Sequence, residues 1–207
     1  MTIRAVVFDI GGVLAVTSNT GMMDVSARWE RQLQLRPGEL NTRMREVWGG
    51  GSLGTLSEEE VHTRTLEILG MSLAQGMAFM DDIWREYLGT LNAELAAYFS
   101  GLRPRYRTAI LSNSFVGARE REQASYHFEE MCDFIIYSHE VGVSKPDRRI
   151  YALTCERLGV PPAEVVFLDD SEPCVVGARE FGMQAILFKD TRQAIADLEA
   201  CLQAGAA

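Results

Sequence analysis

The chain has 207 residues, 47% apolar and 24% charged, with a formal net charge of −9. That length is enough for one α/β domain with a sizeable core, and the acidity argues against nucleic-acid binding, which depends on clustered Lys and Arg. No run approaches the ~18 apolar residues of a membrane span, and "MTIR" leads straight into a strand-like run without a leader pattern.

The first predicted strand is "AVVFDI" (5–10), a wholly apolar run closed by Asp9 and followed by Gly11 and Gly12. Residues 17–90 then carry helical patterns and almost no strand: "MMDVSARWERQLQL", "PGELNTRMREVW", "SEEEVHTRTLEILG" and "LAQGMAFMDDIWREYLG". Ser57 with Glu60, and Ser72 with Gln75, have capping-box spacing. "GGGSLG" (49–54) is read as a loop. Trp29, Trp48 and Trp84 fill a small core of this insert or line a site. Its hinges are expected near residues 14–20 and 88–92.

Beyond the insert, strands and helices alternate. "RTAILS" (107–112) precedes the helical "SFVGAREREQASYHF", in which Arg119 and Arg121 read as a solvated face with i,i+4 pairs. "DFIIYS" (133–138) precedes "PDRRIYALTCERLG", where Pro146 stands near the start and Gly159 near the stop. There Arg148 and Arg149 read as surface charges. "VVFLDD" (165–170) precedes "SEPCVVGAREFG", and "QAILF" (184–188) precedes "TRQAIADLEACLQA". Short continuous apolar strands separated by helices predict an α/β fold: a Rossmann-like, doubly wound parallel sheet covered on both faces. The catalytic core is expected to comprise residues 1–16 and 91–207, with the helical insert at 17–90 forming a cap. The four cysteines lie far apart, without a CxxC pair, and fit reduced thiols in a cytoplasmic protein. The chain is expected to be a monomer or homodimer.

In open α/β sheets, ligands bind beyond the carboxyl ends of the strands. Four of the runs end there in polar chemistry: Asp9, then Ser112 and Asn113, then Lys145 in "GVSKP", then Asp169 and Asp170. Asp9 is suited to attack phosphorus and form an acyl-phosphate. Asp9 and Asp170 repel unless a cation lies between them, and hard oxygen ligands select Mg²⁺. The carbonyl of Gly11 is a further ligand, because glycine lets the backbone approach closely. Lys145 screens Asp9 and binds developing charge, while the Ser112 hydroxyl and the Asn113 amide hold phosphoryl oxygens.

The set "FDIGGVL", "ILSNS", "GVSKPDRRIY" and "VVFLDD" resembles, in order and spacing, the four motifs of the haloacid dehalogenase superfamily, and the resemblance covers nearly the whole chain. Its nearest likeness is to small sugar-phosphate phosphatases and to the phosphatase domain of soluble epoxide hydrolases. The resemblance implies Asp9 as nucleophile, Ser112 and Asn113 as phosphate binders, Lys145 as charge clamp and Asp170 as Mg²⁺ ligand. Asp169 is then a second ligand or an orienting partner. The implied activity is hydrolysis of a small phosphorylated metabolite, such as a sugar phosphate, through an aspartyl-phosphate. One position departs from the pattern. Most such phosphatases carry an acid two residues after the nucleophile, and this chain has Gly11 there. Either the leaving group is a good one, or another group supplies the proton, with His62 and Glu172 as candidates, or the chain only binds a ligand or partner. The alternative enzyme is a dehalogenase acting at carbon, which has no use for two adjacent acids beside the nucleophile.

Overall fold

The computed structural model describes residues 2–17 and 21–204. In chain order the elements are β1 (Ala5–Phe8), β2 (Ala15–Val16), α1 (Gly21–Gln32), α2 (Glu39–Ser52), α3 (Glu58–Leu69), α4 (Leu73–Leu88), β3 (Thr90–Leu91), α5 (Ala93–Ser100), β4 (Arg107–Ser112), α6 (Ala118–Tyr126), α7 (Phe128–Met131), β5 (Phe134–Tyr137), α8 (Ser138–Val141), α9 (Arg148–Leu158), β6 (Val165–Asp169), α10 (Glu172–Phe181), β7 (Gln184–Leu187) and α11 (Thr191–Ala204).

The five strands expected from the sequence form one parallel sheet in the order β5-β4-β1-β6-β7. Side chains alternate between its faces. Val6, Phe8, Ile110, Val166 and Leu168 pack on one side with residues of α5 and α11. Ala5, Val7, Ala109, Leu111, Val165 and Phe167 pack on the other with residues of α9 and α10. A strand buried on both faces has no polar alternation, hence the continuous apolar runs. β1 lies in the middle, with Phe8 opposite Ile110 on one side and Leu168 on the other. This register brings the residues that follow β1, β4 and β6 out at one edge, where the strand order reverses.

Helices α1–α4 gather around Trp29, Leu40, Met44, Val61, Phe79 and Trp84. Both capping boxes form, at Ser57–Glu60 and Ser72–Gln75. The two ends of the insert are held together by an antiparallel ribbon pairing Ala15 with Leu91 and Val16 with Thr90. The Asn92 backbone N–H adds a bond to the Leu14 carbonyl at 2.8 Å. Residues 18–20 of the first expected hinge lie outside the described residues.

Two expectations are corrected. Residues 49–52 of "GGGSLG" are the last turn of α2, not a loop. At Gly51 the missing side chain serves contact: a Cβ there would clash with the Phe115 ring, and the Gly51 carbonyl accepts the Val116 N–H at 3.1 Å. Nor do Arg119 and Arg121 form i,i+4 pairs along a solvated helix. Arg119 reaches Glu129 and Glu140. Arg121 pairs with Glu58 of α3 and lies over the Trp84 ring, 4.2 Å from its centroid. Arg121 thus ties the insert to the sheet domain. Arg149 is exposed and paired with Asp147.

Candidate active site

Asp9 follows β1 directly. Its Oδ1 accepts the Ile10 N–H at 2.7 Å and the Lys145 ammonium at 2.8 Å. Lys145 uses its other donors on the Leu111 carbonyl at 2.8 Å and Asp169 Oδ2 at 2.7 Å. All three protons of the ammonium are therefore assigned, and the side chain is 1% exposed. Burial works to lower the Lys145 pKa, but the two carboxylates outweigh it and hold the pKa above the ordinary value. Burial is also the largest influence on Asp9, pushing its carboxyl up to about 7; Lys145 opposes this and Asp169 adds to it.

Asp169 is fully buried, and its Oδ1 accepts the Ser171 N–H at 2.8 Å. Both of its oxygens are occupied by protein donors, so its surroundings are those of an orienting group. Asp170 differs. It is exposed, and its carboxylate lies directly over Gly12. The carboxylates of Asp9, Asp169 and Asp170 approach with oxygen atoms within 4.8 Å of one another. Burial, then Asp169, raises the Asp170 pKa.

Gly12 has φ +76°, and a Cβ there would stand 2.0 Å from Asp170 Oδ2. The second glycine is thus required by backbone and neighbour together. The first is not: a Cβ on Gly11 meets nothing within 4 Å. Gly12→Ala is expected to displace the Asp170 carboxylate and weaken divalent-ion binding by about 10–100-fold, the scale of supporting contacts around metal ligands. Titration calorimetry with Mg²⁺ checks this, and unchanged affinity would contradict the placement of Asp170 in an ion site.

Ser112 ends β4 and is 2% exposed. Asn113 follows, and its side chain clamps the Lys145 backbone: Nδ2 donates to the Lys145 carbonyl at 2.9 Å, and the Lys145 N–H donates to Oδ1 at 2.8 Å. This exchange fixes the loop that carries Lys145 against the end of β4. Gly11, Gly12, Ser112, Asn113 and Asp170 line a cavity of about 410 Å³, closed on the insert side by Met22, Met23 and Tyr87. A second cavity of about 410 Å³ adjoins it through Met22, Tyr87 and Asn113. Its walls include Leu40, Trp48, Ile83, Trp84 and Phe115. Trp48 and Trp84 therefore line a cavity as well as filling the insert core.

The acid candidates read from the sequence stand elsewhere. His62 packs against Gly76 within the insert, and Glu172 is an exposed first-turn residue of α10; neither lines the two cavities. The residue that sequence reasoning missed is Glu122, buried at 2% exposure and lining the first cavity. Its only signal is its four-residue spacing from Ala118, the other buried residue of α6. That spacing is invisible within "AREREQ", where every other side chain reads as solvated.

Residues 3–182 match the family description of the haloacid dehalogenase-like hydrolases. The chain belongs to that family. It is 32% identical over 220 residues to bifunctional epoxide hydrolase 2 of Sus scrofa, covering 96% of this chain and 39% of that protein, so it spans about two fifths of that relative's length. It is 30% identical over 199 residues to a phosphatase of Mycobacterium tuberculosis, covering 90% of this chain and 88% of the relative. (S)-2-haloacid dehalogenases stand among its relatives too. A haloacid dehalogenase family enzyme of Bacteroides thetaiotaomicron, solved with magnesium and inorganic phosphate, superposes with a TM-score of 0.77 at 20% identity, covering 93% of this chain and 98% of that one. The doubly wound fold read from the sequence is the fold of this family, and the chain is a hydrolase.

Proposed function

We propose that this hydrolase is a Mg²⁺-dependent phosphatase acting on a small phosphorylated metabolite, with Asp9 as nucleophile. The observation that carries the reading is the convergence of Asp9, Asp169 and Asp170 within 4.8 Å while Lys145 occupies only the Asp9–Asp169 side. The remaining donors, Asp170 and the unhindered Gly11 backbone, suit a hard cation. The phosphatase among the relatives and the Bacteroides enzyme holding magnesium and phosphate support the same reading. Asp9, Asp170 and the Gly11 carbonyl would hold the ion, with Asp169 orienting Lys145. Bound there, Mg²⁺ supplies positive charge between the carboxylates and the phosphoryl group.

Asp9 then attacks phosphorus and the leaving alcohol departs. Lys145 neutralises the developing charge, while the Ser112 hydroxyl and the Asn113 N–H hold the equatorial oxygens. Water hydrolyses the aspartyl-phosphate and restores the carboxylate. The insert acts as a cap over the strand edge, hinged at the β2–β3 ribbon, and excludes bulk water. The organic part of the substrate occupies the cavity walled by Trp48, Trp84 and Phe115. Such walls favour an apolar or aromatic group over a bare polyol.

Phosphate release from alkyl, aryl and sugar phosphates, with Mg²⁺ and with chelator, tests the reading. Chelator-sensitive release, at least about 10-fold faster in kcat/KM for apolar esters, is expected from the burial of one or two extra methylenes' worth of surface. Chelator-insensitive chloride release from 2-chloropropionate would replace this reading with a dehalogenase. Silence in both assays would leave a binding protein.

A further inference from the structure

We infer that Glu122 is the acid that protonates the leaving oxygen, in place of the side chain missing at Gly11. This inference rests on the phosphatase reading and names the residue that completes its chemistry.

Glu122 is a carboxyl group with no cation at ion-pair distance among the described residues. Arg119, one turn back, is engaged by Glu129 and Glu140. Its Oε2 is buried without a hydrogen-bond partner among the described residues. Buried carboxyl oxygens are normally satisfied, so an orphan in a cavity wall is a group kept for a ligand. The groups facing it are the phenols of Tyr137 from β5 and Tyr87 from α4 and, from its own helix, the charge of Arg119, all three of which act to lower its pKa. Burial dominates its titration and pushes the carboxyl up to about 7, above the ordinary Glu range. A proton is therefore available to give near neutral pH, and the group can take one back afterwards.

Position decides the role. The phosphoryl cavity, with Gly11, Ser112 and Asp170, and the aromatic cavity meet at Tyr87 and Asn113. The P–O bond to be broken crosses that junction. Glu122 lines the phosphoryl cavity and contacts Tyr87, which borders both. Through Tyr87 it stands next to the junction where the leaving oxygen would lie, whereas His62 and Glu172 line neither cavity. As Asp9 forms its bond to phosphorus, the bond to the leaving oxygen breaks. Its electron pair takes the proton from Glu122 Oε2, leaving a carboxylate. In the second half-reaction that carboxylate accepts a proton from the water attacking the aspartyl-phosphate. The Asp9–phosphorus bond breaks, and both groups return to their starting state.

The test compares wild type with Glu122→Gln on aryl phosphates of rising leaving-group pKa and on an alkyl phosphate, all with Mg²⁺. The Gln variant is expected to lose about 10²–10⁴-fold in kcat/KM on the alkyl ester, the scale of general acid catalysis. The first-turnover burst from 4-nitrophenyl phosphate, whose phenolate needs no proton, is expected to change less than about 10-fold, because that step forgoes the acid. Adding Gly11→Asp to Glu122→Gln is expected to recover the alkyl ester preferentially. An equal loss on good and poor leaving groups, no loss on the alkyl ester, or no recovery with Gly11→Asp would each overturn the assignment. Wild-type rates alone also bear on it if the variant fails to fold: a shallow dependence on leaving-group pKa is expected, and a steep one would overturn it. Absence of Mg²⁺-dependent phosphate release in the wild type would instead remove the phosphatase reading itself, and the acid role with it.

Discussion

Asp9→Asn is expected to reduce phosphate release by on the order of 10⁴-fold or more, the scale on which a covalent nucleophile's removal is felt. The substitution preserves shape but replaces the anionic oxygen that attacks phosphorus with a neutral, weakly nucleophilic amide. It also removes one of the two carboxylates that surround the Lys145 ammonium, leaving that cation paired with Asp169 at 2.7 Å. The buried site then holds one positive and one negative group, so folding is expected to survive, with the urea midpoint changing by less than about 1 kcal/mol equivalent. Steady-state kinetics beside a denaturation curve separate the two effects. Residual activity above one hundredth of wild type in a folded Asp9→Asn protein would show that another residue attacks phosphorus.

Lys145→Met is expected to act on the fold itself. The ammonium makes three contacts of 2.7–2.8 Å, to Leu111, Asp9 and Asp169, in a site where its side chain is 1% exposed. Methionine fills the space and leaves two buried carboxyl groups without a cation. Breaking a buried pair in this way costs about 3–5 kcal/mol, a large share of the total stability of an ordinary domain. The loss depends on pH, with a definite sign. Without Lys145, the buried Asp9 carboxyl binds its proton more tightly in the folded chain than in the unfolded one, where it titrates near 4. Its folded pKa is raised, so stability is retained below about pH 4 and falls as pH rises. The fall extends at least to about 7, where Asp9 stands even with Lys145 beside it. Urea denaturation between pH 4 and pH 8 reads this directly. A Lys145→Met protein whose deficit is constant across that range, or below about 1 kcal/mol, would mean that the cation does not carry the charge balance of the site.

The parts of this molecule legible in the sequence are those that its local pattern determines. β1 and β6 are buried on both faces and read as nearly unbroken apolar runs, and β4 carries a shorter one at 109–111. Asp9, Ser112, Lys145 and Asp170 stand out because each breaks such a run or follows one closely. The capping boxes at Ser57 and Ser72 are local hydrogen-bond patterns and form as expected. What escaped depends on contacts between distant segments. The β2–β3 strands are two residues each, too short for any periodicity. Gly49–Gly51 continue a helix against their propensity; Gly50 leaves room for Leu56, and Gly51 gives Phe115 room and Val116 a carbonyl. Glu122 is charged in a charged stretch, and its place against Tyr137 of β5 and Tyr87 of α4, both distant in sequence, makes it a buried carboxyl. Asp169 and Asp170 are adjacent and chemically alike. Their separation into a buried group held by Lys145 and Ser171 and an exposed one facing Gly12 is decided by where β6 ends.

The central claim is that phosphorus becomes bonded to Asp9 while a divalent ion is held beside Asp170. Rapid acid quench of the protein turning over acetyl phosphate, followed by peptide mass spectrometry, tests it most directly. The account predicts one phosphoryl group on the peptide containing Asp9, formed with Mg²⁺, absent with chelator and absent in Asp9→Asn. A phosphoryl group on any other residue, or none at all during active turnover, would contradict it.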